Sequence, residues 1–388
     1  MSKLDELIQK LCPDGVEYRK IGEVTNYEQP SKYIVRNTDY RDEYETPVLT
    51  AGQSFVLGYT DESDGIYPAS KTAPIIIFDD FTAAFKWVDF PFKVKSSAMK
   101  MITAKEDQLL IRFLFHWMGT LNYSSTEHTR LWIGTYSEFK IPVPPLPVQR
   151  EIVRILDNFT ELTAELTAEL TARKQQYAYY RNSLLSFEYR ENSVKKALSE
   201  IAEISTGSSN TDEAVENGQY PFYVRSQQPL AKNEYEFDEE AVITAGDGVG
   251  VGKVFHYASG KYALHQRAYR IHPTSNSIMC KYLYYYFVAN FPKYIGQQMY
   301  QGSVPSIRRP MLNQFEVSVP SLEIQKRLVE VLDNFDAICT DLNIGLPAEI
   351  EARKKQYEFY RDQLLTFAAQ GETILTDRQT DRQTDRQA

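Results

Sequence analysis

Apolar residues recur at three- and four-residue steps in two places along the chain. Ile152, Ile155, Leu156, Phe159, Leu162, Leu166 and Leu170 form one series, and Leu328, Val331, Leu332, Phe335, Ile338 and Leu342 the other. That period draws a narrow apolar stripe down one face of a helix. Elsewhere the apolar runs are short and broken by glycine and aspartate: Thr46–Ala51, Ser54–Gly58 and Pro74–Phe78 predict strands, Asp64-Gly65 a turn, and residues 108–121 a helix. The second half follows the same plan. Val16–Val24 corresponds to Val194–Ile204, Tyr44–Val48 to Gln219–Tyr223, and the aromatic helix Phe113–Trp117 to Tyr282–Phe287, while Ile141–Pro145 and Val317–Pro320 mark proline-rich exits.

The repetition extends to residue identity. Gln149-Arg-Glu-Ile-Val-Arg-Ile-Leu-Asp-Asn-Phe159 returns as Gln325-Lys-Arg-Leu-Val-Glu-Val-Leu-Asp-Asn-Phe335, and Ala172–Phe187 returns as Ala352–Phe367. A duplicated chain of this kind predicts a pseudo-two-fold α+β molecule: two globular α/β units separated by two long helices that form an antiparallel coiled coil. The expected boundaries are 1–145 for the first unit, 146–189 for a central spacer helix, 190–320 for the second unit, 321–370 for a distal helix and 371–388 for a repetitive tail. Gly345-Leu-Pro347 should split the distal helix, because glycine ends a helix and proline starts one. Thr163–Leu166 is repeated as Thr167–Leu170, so each copy lengthens the helix by about 6 Å. The tail runs Thr376-Asp-Arg-Gln379, twice more, then Ala388. It has no apolar stripe and is expected to be disordered. An in-frame ACAG repeat would encode it, which suggests a slippage-prone gene end and phase variation.

Composition narrows the class. The chain has 388 residues, 43% of them hydrophobic and 13% aromatic, enough for two or more folded cores. It shows neither an apolar run of about eighteen residues nor a signal-peptide layout at Met1-Ser-Lys-Leu-Asp-Glu, so a cytoplasmic protein with no membrane partner is expected. Cys12, Cys280 and Cys339 are scattered, without metal-ligand spacing. The net charge of -9 conceals a strong asymmetry: no Asp or Glu occurs from Gly248 to Phe315, where Lys253, Lys261, Arg267, Arg270, Lys281, Lys293, Arg308 and Arg309 all lie. Phe81–Lys105 is a weaker counterpart, with five lysines against Asp89, while acids gather on the helices and in Glu234–Glu240. Local charge points to a polyanion where total charge does not.

No catalytic constellation emerges. Gly246–Lys253 lacks the spacing of a phosphate loop, and Val254 stands where a hydroxyl residue is needed; a glycine-rich hairpin between strands is the expectation. Asp79-Asp80 has no second ligand cluster and is assigned to turn capping or to a cytosine amino group. His265 has no nucleophile partner, and Trp87, Trp117, Trp132 and the row Tyr282–Phe287 are read as core. DNA contact explains more, because Arg, Lys, Gln, Asn, Ser and Thr read base edges and phosphates. Candidates in the first unit are Gln53, Ser54, Lys71, Lys86, Lys93, Lys95, Ser96, Ser97, Lys100 and Arg130. In the second they are Arg225, Ser226, Gln227, Gln228, Lys253, His265, Gln266, Arg267, Gln301, Ser303, Arg308 and Arg309. Solvated surface charge is the alternative for each singly, and a helical scaffold with protein-binding ends or a stand-alone DNA-modifying enzyme is the alternative for the whole.

The two Leu-Asp-Asn-Phe helix starts, the two Ala-Arg-Lys-x-Gln-Tyr-x-x-Tyr-Arg segments and the Thr-Ala-Glu-Leu repeats resemble the specificity subunit of type I restriction-modification systems, in its type IC branch. Tyr27–Pro30, Leu49–Gly52, Phe78–Phe81, Lys86–Asp89 and Ser96–Lys100 are similar to a recognition domain of that branch, whereas the second unit matches mainly in layout. The resemblance implies two target-recognition domains that read a split, asymmetric site on double-stranded DNA. It also implies helices that dock methyltransferase (modification) subunits, which carry S-adenosylmethionine and methylate adenine at N6, with restriction/motor subunits joining for cleavage. The chain itself then holds no cofactor, metal or catalytic residue. Its acidity departs from a stand-alone DNA binder and suggests that partners supply part of the phosphate neutralisation.

Overall fold

The computed structural model describes residues 2–52, 54–105, 108–121, 123, 129–186, 193–298 and 305–370. The repetitive tail lies outside them. The chain divides into two compact units, Met1–Glu165 with Ile350–Ala388 and Leu166–Glu349.

The first unit contains α1 (Lys3–Leu11), β1 (Tyr18–Lys20), α2 (Ile21–Val24), β2 (Thr25–Glu28), β3 (Thr46–Leu49), β4 (Val56–Thr60), β5 (Ile75–Asp79), β6 (Phe85–Val88), β7 (Lys93–Val94), β8 (Met99–Ala104), α3 (Ile111–Met118) and β9 (Lys140–Pro142). Its strands make a four-stranded sheet in the order β2-β8-β5-β6 and a three-stranded sheet β4-β3-β7, with β1 and β9 closing the unit as an antiparallel pair. Ile75, Ile76, Ile77 and Phe78 on β5 are all buried, as a strand packed on both faces requires. Trp132 and Tyr136 stack above Phe78, and Trp117 is buried in the same core, as read from the sequence.

From the first unit runs α4 (Leu146–Leu185), 40 residues or about 60 Å at 1.5 Å per residue. The second unit contains β10 (Val194–Ala197), α5 (Leu198–Ile201), β11 (Ala202–Thr206), β12 (Tyr220–Tyr223), β13 (Leu230–Lys232), β14 (Phe237–Ala245), β15 (Phe255–Leu264), β16 (Ala268–Pro273), α6 (Cys280–Gln298), α7 (Arg309–Asn313), β17 (Glu316–Val319) and α8 (Leu322–Thr340). The distal helix is indeed split at Gly345, and α9 (Leu346–Gln370) belongs to the first unit.

The sheet of the second unit has the order β11-β16-β14-β15-β12-β13. Register equates β14–β15 with β5–β6: Ile76 faces Trp87 and Ile102, and Val242 faces Tyr257 and Ile271. The ten-residue β15 then corresponds to β6 plus β7, which both occupy the same parallel pairing with β3 or β12. Pro91 between them has no N–H to donate, which explains why one sheet becomes two in the first unit.

Both spacer segments are clamped to their units in the same way. Gln149 is fully buried; its Nε2 donates to the backbone oxygens of Gln108 and Pro144, and its Oε1 accepts from Leu110 N–H at 2.8 Å. Gln325 donates to Ser277 and Pro320 and accepts from Met279 N–H at 2.8 Å. About two turns further along, Asp157 takes Arg112 and His116 from α3, and Asp333 takes Lys281 and Tyr285 from α6. Helix pairing is equally duplicated: Phe159 stacks on Tyr360 at 5.2 Å, and Phe335 meets Tyr177 at 6.4 Å and Tyr180 at 6.0 Å. The first part of α4 pairs with α9 and its second part with α8, the reversed order of an antiparallel pair. Ile152 and Leu156 from the apolar stripe are buried in the first unit's own core, so the stripe serves the globular unit as well as the coiled coil.

Candidate nucleic-acid interface

The loops at one end of each sheet are laced together by the same backbone bonds. In the second unit Gly246 N–H donates to Arg267 O at 2.8 Å, Ile307 N–H to Gly246 O at 2.7 Å, and His265 N–H to Tyr223 O at 2.9 Å. In the first, Asp80 N–H donates to Ala98 O, Leu131 N–H to Asp80 O and Lys95 N–H to Leu49 O, at 2.8, 2.8 and 3.1 Å. The same four segments therefore converge in both units: one after β3 or β12, one after β5 or β14, one before β8 or β16, and one around Leu131 or Ile307. The glycine-rich segment is a hairpin joining β14 to β15, as expected. A Cβ on Gly250 would come within 2.5 Å of Arg225 O, and one on Gly246 within 2.7 Å of Arg267 O, so only glycine allows this convergence.

Around it the second-unit candidates assemble. Asp247 holds Arg225 at 2.5 Å through Oδ1 and Arg267 at 3.2 Å through Oδ2. Burial by itself would raise the Asp247 carboxyl, but the two guanidinium groups outweigh it and hold it below the usual carboxylate range. His265 is buried, and its Nδ1 accepts Arg267 N–H at 3.0 Å. Burial, with Arg225 and Arg267 nearby, pushes its pKa down, so the ring is neutral and carries its proton on Nε2. Gln266 donates to Asn210, and Gln227 donates to Lys253 O at 2.9 Å. Ser226, Gln227, Gln228, Lys253, Gln266, Arg267, Arg308 and Arg309 are exposed. A cavity of about 260 Å³ lies between Gly246, Asp247, Gln266, Arg267 and Arg308. Gln301 and Ser303 fall outside the described residues.

In the first unit the picture is mixed. Ser54, Lys95, Ser96, Ser97 and Arg130 are exposed on the converging loops. Lys71 sits apart on the Ser70–Ala73 turn and Lys86 on β6, and Gln53 falls outside the described residues. Lys93 and Lys100 need correction as DNA contacts, because both are buried and committed. Lys93 pairs with Glu62 at 2.8 Å and donates to Asp64 O at 2.7 Å. Lys100, 0% exposed, pairs with Asp80 at 2.7 Å and donates to Gln29 at 3.2 Å. Burial by itself would raise the Glu62 carboxyl, but Lys93 and the N–H groups of Asn37 and Arg36 hold it at about 2. Asp80, which also accepts Trp132 N–H at 2.9 Å, is closed to a cytosine amino group. Asp79 caps the turn by accepting from Phe81 and Thr82 N–H, both at 2.9 Å.

Residues 13–173 and 190–352 match the family described as Type I restriction modification DNA specificity domain, once for each half. The chain belongs to that family. It is a type I restriction-modification specificity subunit with two target-recognition units. It is 43% identical over 400 residues to the Type I restriction enzyme EcoR124I/EcoR124II specificity subunit of Escherichia coli, covering 95% of this chain and 98% of that protein. The Type I restriction enzyme MpnII specificity subunit of Mycoplasma pneumoniae is 31% identical over 208 residues, covering 50% of this chain and 62% of that one. In fold, a type I restriction-modification S subunit from M. genitalium superposes with a TM-score of 0.56 at 15% identity, over 92% of this chain and 96% of that one.

Two parts of the specificity subunit's recognition ends escaped the sequence reading. Asp247, which orients two arginines, is the last acid before the acid-free stretch, and that position is its signal. Asn210 approaches Gln266 only through the pairing of Ser209 with His265, which leaves no local trace. Among the described residues no group of three or more His, Cys, Asp or Glu could hold a metal ion, and no helix is long and apolar enough to cross a membrane.

Proposed function

We propose that this specificity subunit reads a split, asymmetric target on double-stranded DNA, one part with residues 1–145 and the other with 190–320. The observation that carries this reading is the shared loop scaffold with unlike side chains: Lys95, Ser96 and Ser97 occupy the loop that in the other unit carries His265, Gln266 and Arg267. Equal scaffolds dock alike, whereas unlike donors and acceptors select different base edges. The helices α4, α8 and α9 set the unread gap and dock modification subunits. Those partners bind S-adenosylmethionine and transfer its methyl group to adenine N6, and restriction/motor subunits join them for cleavage, all in the cytoplasm. This chain contributes recognition and no catalytic residue. Selection from random-sequence DNA with the modification subunit of the same system tests the proposal. It predicts enrichment of two short motifs at a fixed spacing; no enrichment would favour a protein-binding scaffold, and methyl transfer by the chain alone would mark an enzyme.

A further inference from the structure

In each unit a cavity opens beside the spacer segment, of about 440 Å³ in the first and about 530 Å³ in the second. Both hold a cation lying over an aromatic ring and paired with a carboxylate. Arg112 sits 4.6 Å from the Trp87 ring centroid and 2.7 Å from Asp157. Lys281 sits 4.4 Å from the Tyr257 ring centroid and 3.5 Å from Asp333. The groups are true counterparts: Trp87 and Tyr257 share a register position, Arg112 and Lys281 each follow the N–H held by the glutamine clamp, and Asp157 and Asp333 share the repeated Leu-Asp-Asn-Phe.

A further carboxylate lines each cavity but comes from opposite strands. Glu240 lies on β14 across from Ser259, one rung beyond Ala241 and Ala258. Asp89 directly follows Val88, the last residue of β6 and the partner of Ile75 in the equivalent pair, so it stands on the β6 side. The charge at this rung is thus the same in both units although the strand bearing it differs, and the backbone does not require that. Glu240 is exposed and accepts from Tyr257 OH at 2.5 Å, while His272 in the second cavity faces the Glu240 backbone oxygen at 2.8 Å. One cation set against two carboxylates leaves each cavity negative beside an aromatic face, the chemistry that accepts a second cation.

We propose that the two cavities are a duplicated socket for a Lys or Arg side chain presented by the modification subunit, one per unit. The inference rests on the reading that such subunits dock here, and adds where and by what chemistry. The test mixes the full-length chain with the modification subunit of the same system and weighs the complex by native mass spectrometry. Asp89→Arg and Glu240→Arg should each lower the retained modification subunit relative to wild type, and the double variant should retain least. Asp89→Asn and Glu240→Gln, which remove only the charge and keep the side-chain shape, should weaken association about tenfold and flatten its salt dependence. Undiminished retention with all four substitutions overturns the socket while leaving the docking reading intact. A wild-type chain that binds no modification subunit overturns that reading and the socket with it.

Discussion

Lys93 and Lys100 are buried in ion pairs, whereas Arg267 and Arg308 are exposed. Lys100 has no exposed surface and faces Asp80, so Lys100→Met strands a buried carboxylate. The expected loss is about 3–5 kcal/mol of unfolding free energy in urea titration; a change within about 0.5 kcal/mol, typical of a surface lysine, would contradict the assignment. Arg267 and Arg308 are exposed at the converging loops. Arg267→Ala or Arg308→Ala should weaken or relax one part of the target by roughly 1–3 kcal/mol and leave the other part unchanged. Uniform weakening on every DNA sequence would assign these residues to phosphate instead. Loop positions such as His265–Arg267 could be read from the sequence because polar residues there interrupt buried strands. The commitment of Lys93 and Lys100 could not, since Glu62 and Asp80 reach them only through strand pairing.

At the level of elements, the junction between recognition unit and spacer segment is built from polar residues preserved in both copies of the repeat. The apolar stripes were evident from periodicity, the break at Gly345 from Gly345-Leu-Pro347 and the strand plan from short apolar runs bounded by glycine and aspartate, while Gln149/Gln325 and Asp157/Asp333 carried a signal of their own, identity between diverged halves. What they bind was hidden, because the N–H of Leu110 or Met279 becomes available only when the aromatic helix is seated. One difference between the copies is testable. His116 of α3 contacts Asp157 at 2.9 Å and the Tyr357 hydroxyl at 2.8 Å, whereas its counterpart Tyr285 has no ionisation near neutrality. Burial pushes the His116 pKa below its ordinary value of 6.5; the Asp157 hydrogen bond opposes this, and Arg112 and Arg361 add to it. The unfolded chain therefore takes up the proton more readily, so stability is full above about pH 6.5 and falls as pH drops below it. Urea midpoints at pH 7.5 and 5.5 should differ for the wild type and differ less in His116→Gln. An equal pH dependence in both proteins would exclude His116 as the source.

For the whole molecule, the claim is that one chain carries two readers of unlike specificity on a duplicated frame, with a helical segment fixing their separation. The repeat Thr163–Leu170 lies within the unbroken helix α4, where four residues contribute about 6 Å. Deleting Thr167–Leu170 should shorten the preferred gap without altering either base motif; unchanged spacing would remove the helix from its role as ruler. The most direct test is a genome-wide map of methylated adenines in cells with and without this gene. A gene-dependent motif in two unlike parts separated by an unread gap of constant length is expected, and a single uninterrupted motif, or a map that does not change, would contradict a two-part reader.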